Sequence, residues 1–95
     1  MNEQLLQCFN RLRALSWLHQ TFHWQASGHT AFQLHLLFER LYSDTTEEID
    51  GFAEKLVGLL GAPAVDPVAS LVEVQASVSR MVPVSYTHLT LPTKA

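Results

Sequence analysis

The segment FHWQASGHTAFQLH, residues 22–35, holds three of the chain's five histidines around a helix stop, and its reading decides the fold. Upstream of it, Leu5, Phe9, Leu12, Leu15 and Phe22 recur at helical spacing, with Glu3, Gln4, Arg11 and Arg13 off that stripe. Residues 3–26 therefore read as one amphipathic helix. Ser27-Gly28 stops it. Downstream, Phe32, Leu34, Leu37, Phe38, Leu41, Tyr42, Ile49, Phe52, Leu56 and Leu60 keep a helical period from near Thr30 to GAPAVDP, residues 61–67. A glycine followed by prolines ends a helix there. The connection between the two long helices is short, so they are expected to pack antiparallel as a hairpin. Asp66 as N-cap and Pro67 at the first helical position predict a third, short helix over residues 67–80. The fold class is all-α.

Bulk properties bound the function. The chain has 95 residues, 47% of them apolar, enough for one small domain of marginal stability on its own. Oligomerisation or further sequence is expected. Nine acidic against six basic residues give a net charge of -3, which argues against a phosphate-binding surface and makes DNA binding unexpected. No basic stretch followed by an apolar run opens the chain, and no apolar run approaches the about 20 residues of a membrane span. The chain reads as cytoplasmic. Cys8 has no partner for an internal disulfide and reads as a small core residue. From Pro83 the helical period is lost, and VSYTHLTLPT, residues 84–93, resembles a reading-frame translation of the transposase-adapter DNA used in sequencing libraries. Residues 1–82 are thus expected to form the domain and 83–95 a non-native or disordered tail, which sets Tyr86 and His88 aside.

The chemistry lies in two pairs on the second helix, His35/Glu39 and Asp50/Glu54. Each pair is spaced i,i+4, so its two side chains project from one face and can share a cation. Along the axis the pair centres are fifteen residues apart, which at about 1.5 Å per residue is roughly 22 Å. Ligands lie within about 2 to 2.5 Å of a metal, so one chain cannot bring both pairs to one ion. Two copies can. If two such helices pack antiparallel about a two-fold axis near Asp44-Thr45, His35/Glu39 of one chain faces Asp50/Glu54 of the other, giving two identical sites. The hairpin would fold His23 back towards His35. Taken singly, His23 reads as a core histidine, His35/Glu39 as a surface pair and Asp50/Glu54 as a solvated face; the constellation favours ligation. His19 is expected to pack between the helices, His29 to lie exposed in the turn, and Trp24 to be a core aromatic. Asp44, Glu47 and Glu48 read as hydrated acidic surface.

His23-Trp24, His35, Glu39 and the run EIDGFAEKLVGLLGAP, with Asp50 and Glu54, resemble the metal-site pattern of the Dps (DNA-protection-during-starvation) mini-ferritins. The resemblance covers residues 8–61 and extends more weakly to about residue 80. It implies a ferritin-like four-helix subunit, of which this chain would supply two long helices and a short crossover helix, assembled into a hollow dodecamer. It also implies iron as cargo, oxidised from Fe(II) by hydrogen peroxide or dioxygen and stored as Fe(III). By position, His23, His35 and Glu39 would come from one subunit and Asp50 and Glu54 from its two-fold mate. Glu39 departs from the family's usual Asp, and the basic N-terminal tail that many members use for DNA is absent. Zinc or another divalent metal suits the same donors. The competing reading is a non-catalytic helical hairpin that dimerises or binds a partner through apolar faces left uncovered.

Overall fold

A computed structural model describes residues 2–82; the tail expected over 83–95, with Tyr86 and His88, lies outside the described residues. The elements are α1 (Asn2–Gln25), α2 (Ala31–Leu60), a one-turn 3-10 helix (Ala62–Val65) and α3 (Pro67–Met81). No strand occurs among the described residues, so the fold is all-α as expected. The longest dimension, 47 Å, is set by α2, whose 30 residues span about 45 Å at the helical rise.

Local chemistry sets the boundaries. Gly28 and Gly61 both take φ of +93°, a region that costs side-chain-bearing residues strain, and each stands at a helix end. Gly28 accepts a turn bond from the Ala31 amide at 3.2 Å, which turns the chain into α2. The Gly61 amide donates to the Val57 carbonyl at 2.8 Å and closes α2. The Asp66 carboxylate accepts from the Ala69 amide at 2.8 Å, capping α3 with Pro67 in its first turn. The 3-10 turn is an addition to the sequence reading, which placed only a helix stop there.

α1 and α2 pack antiparallel, and the register shows in the pairs that meet. Phe9 packs at a tilt against Phe52 with ring centroids 5.8 Å apart, Ser16 Oγ lies 3.4 Å from Thr46 Oγ1, and Phe22 meets Phe38 at 5.5 Å. The position number falls on one helix as it rises on the other. Phe9, Ala14, Leu18 and Leu56 form the buried apolar core. α3 lies on α1 through a polar chain: Arg13 Nη1 donates to Ser70 Oγ at 2.6 Å, and Ser70 Oγ donates to Asn10 Oδ1 at 2.6 Å. Its buried residues are Ser70 and Ser77, while Val68, Leu71 and Val72 face outward.

Several side chains depart from the sequence reading, Phe32 and Leu37 of the second helix's apolar stripe among them, since both are exposed. Cys8 is exposed rather than core, because α1 turns Phe9 and Asn10 inward and leaves its neighbour on the open side. Leu15 is partly exposed for the same reason, the buried face being centred on Ala14 and Leu18. Trp24 is 69% exposed rather than core; the last turn of α1 buries His23, and the next residue, about 100° round the helix, points away.

Candidate metal centre

His23 sits in the last turn of α1, so it lies at the hairpin's closed end opposite the start of α2. It is buried, while His35 and Glu39 are exposed on α2. The two imidazoles stack, with centroids 3.7 Å apart and planes inclined by 28°. Tyr42 meets the His23 ring edge-on at 5.4 Å and covers a further side of it. One turn along α2 from His35, Glu39 brings Oε1 to 3.9 Å from His23 Nε2. One ligand atom from each of His23, His35 and Glu39 lies within 4.8 Å of the others.

Each histidine is also tied to the opposite backbone. His23 Nδ1 donates to the His35 carbonyl at 2.7 Å, and His35 Nδ1 donates to the His23 carbonyl at 3.1 Å. Metal-ligating histidines commonly use their second nitrogen in this way, which holds the ring in place. Two imidazoles and a carboxylate form a mixed N/O donor set that suits iron, zinc, copper or nickel. Three protein donors leave coordination positions open for a further ligand. The residues present therefore fit a transition-metal ion.

Asp50 and Glu54 lie further along α2, both exposed, and belong to no metal-sized cluster among the described residues. That is the separation expected from the helical rise. His19 packs between α1 and α2, stacked on Phe38 at 6.1 Å. Its Nδ1 is buried without a partner, and burial pushes its pKa below the ordinary histidine value. It takes no part in the cluster. His29 is exposed in the turn. Sequence reasoning missed Tyr42 as a wall of the site; its place one turn beyond Phe38 and three residues from Glu39 was the available signal. The histidine-to-carbonyl bonds had no signal in the sequence, since backbone acceptors carry no residue type.

Comparison with known proteins converges on one group. The chain is similar to general stress protein 20U of Bacillus subtilis (strain 168), 41% identical over 69 residues, covering 66% of this chain and 46% of that protein. It is similar to DNA protection during starvation protein 2 of Bacillus anthracis, 35% identical over 69 residues with the same coverage of both. The DNA protection during starvation protein of Brevibacillus brevis is 40% identical over 52 residues, 55% of this chain and 35% of that protein. The chain thus spans less than half the length of these relatives. No family model matches, and no solved structure matches significantly. Over the part of these relatives that it spans, the chain is similar to the Dps-like proteins, and a Dps-like family is supported.

Proposed function

We propose that the chain forms part of an iron-sequestering protein that oxidises Fe(II) at a site shared between two copies of its second helix. The observation that carries this reading is the convergence of His23, His35 and Glu39 within 4.8 Å in one chain. Relatives named for DNA protection during starvation support it. Iron is the substrate and cargo; each Fe(II) gives one electron to hydrogen peroxide or dioxygen. His23 and His35 offer neutral nitrogen donors, and Glu39 offers a hard oxygen that balances charge as Fe(II) becomes Fe(III). Asp50 and Glu54 complete the site from the two-fold mate, and a cation relieves the repulsion between these like charges at i,i+4. Exposure of both leaves them available to a second copy. Zinc would occupy the same donors without redox chemistry. No described helix is long and apolar enough to cross a membrane. The net charge of -3 gives no electrostatic footprint for DNA.

The test is an anaerobic Fe(II) titration that follows Trp17 and Trp24 fluorescence together with oligomer mass. Both tryptophans are exposed, and Trp24 adjoins His23. Saturable quenching that His35→Ala abolishes, with formation of dimers, is the expected result. Quenching that survives both His35→Ala and Asp50→Ala would overturn the site.

A further inference from the structure

The paired bonds between His23 and His35 determine which ring atoms are free to ligate. A backbone carbonyl can only accept a hydrogen bond, so a ring nitrogen held 2.7 Å from one carries the proton. The same holds for His35 Nδ1, 3.1 Å from the His23 carbonyl. A neutral imidazole that donates through Nδ1 keeps its lone pair on Nε2. We propose that the two histidines arm each other: closing the hairpin fixes both as Nδ1–H tautomers and leaves both Nε2 atoms as ligands, before any metal or second copy arrives. This rests on the metal-site reading above and specifies the atoms that ligate and what positions them.

The surroundings agree. His23 Nε2 faces Glu39 Oε1 at 3.9 Å, two acceptors aimed at one space, an arrangement that a cation between them satisfies. Rotating the His23 ring by a half-turn would replace its Nδ1–H bond with a C–H against the His35 carbonyl. Burial, the stacked His35 ring and the Tyr42 edge hold it against that rotation. In metal sites generally, the partner that orients a ligand histidine is a separate carboxylate, carbonyl or water. Here each ligand residue's own backbone orients the other ligand. The two nitrogen donors are therefore a coupled unit, assembled by the turn between α1 and α2.

The test is nitrogen NMR of the histidine rings in the full chain, labelled with 15N, at neutral pH with and without Zn2+ as a diamagnetic probe. The expected result is the Nδ1–H tautomer for His23 and His35 in metal-free protein, with Zn2+ moving their Nε2 signals and leaving Nδ1 protonated. Nε2–H or averaged tautomers in metal-free protein would overturn the proposal. Nδ1–H on both rings with no response to Zn2+ would sustain the clasp and overturn the metal-site reading instead. A second readout uses near-isosteres. His35→Asn keeps an N–H close to the position of Nδ1, whereas His35→Gln moves the polar group out towards Nε2. The metal-free thermal midpoint of His35→Asn is expected to stay near the parent, with that of His35→Gln lower by about 4–8 °C. Equal midpoints for the two variants would overturn the clasp.

Discussion

At the scale of single residues, the histidines differ by their surroundings rather than by their type. His23 and His35 have both Nδ1 atoms engaged and a carboxylate nearby, whereas His19 has a buried Nδ1 without a partner. Truncating a ligand removes a donor outright, so His23→Ala is expected to lower Fe(II) affinity by at least about tenfold, read in the same anaerobic titration. His19 is expected to contribute to the pH dependence of stability. Burial lowers its folded-state pKa, so the unfolded chain takes up a proton as pH falls through about 6.5 while the folded chain resists. Stability from His19 is thus intact above that pH and declines as pH falls through the lowered folded value. His19→Leu is expected to flatten the fall in urea midpoint between about pH 7 and about pH 5 relative to the parent. A slope unchanged by the substitution would show that His19 does not carry it.

At the scale of elements, the ends of helices do most of the specifying. The Asp66 cap is the bond that starts α3, and Asp66→Ala is expected to cost about 1 kcal/mol and to speed amide exchange in the first turn of α3. Gly61 combines φ of +93° with ψ of 163°, a region essentially reserved for glycine. Gly61→Ala is therefore expected to cost about 1–3 kcal/mol by denaturant titration. The added Cβ itself meets only Pro63 Cδ at 3.7 Å, so strain rather than collision is the cause. α3 adheres to α1 through the Arg13–Ser70–Asn10 chain, in which buried polar atoms satisfy one another. Ser70→Ala leaves Asn10 Oδ1 and the guanidinium without that hydroxyl, at an expected cost of about 1–3 kcal/mol. These boundaries and caps were legible in the sequence because Gly, Pro and Asp act on the backbone next to them. The pairing of α3 with α1 through serines was not, since the apolar period of residues 67–80 marks Val68, Leu71 and Val72, which face outward.

At the scale of the whole molecule, the hairpin holds three of the five proposed donors in one place and displays the other two about 22 Å along the same helix. Trp17, Phe32, Leu59 and Leu71, spread over the three helices, are each more than half exposed. An isologous dimer makes a specific forecast. A His35→Ala chain lacks the nitrogen side of the site and an Asp50→Ala chain lacks part of the acidic side, so neither alone builds an intact site. When the two are unfolded together and refolded, the mixed dimer regains one intact site, because the defects of the two chains fall together in the other. About one quarter of the parental metal binding is expected from random one-to-one mixing. Recovery of nothing beyond the separate variants would show that the donors do not come from two copies.

The sequence by itself determined the helices, their stops, the hairpin and the candidate donors. Each is written in local periods, in glycine and proline, and in residue types that carry charge or a lone pair. It also determined that Asp50 and Glu54 stand too far from His35 to meet it in one chain, because helical rise is fixed. Only the tertiary structure decided that Cys8 and Trp24 face outward, that Tyr42 walls the site and that serines seat α3. These depend on which neighbours cover each face of a helix, a property of packing between distant segments. The bonds from each histidine to the other's carbonyl belong with them. A backbone oxygen has the same chemistry at every position, and only the folded chain brings a particular one to the right ring.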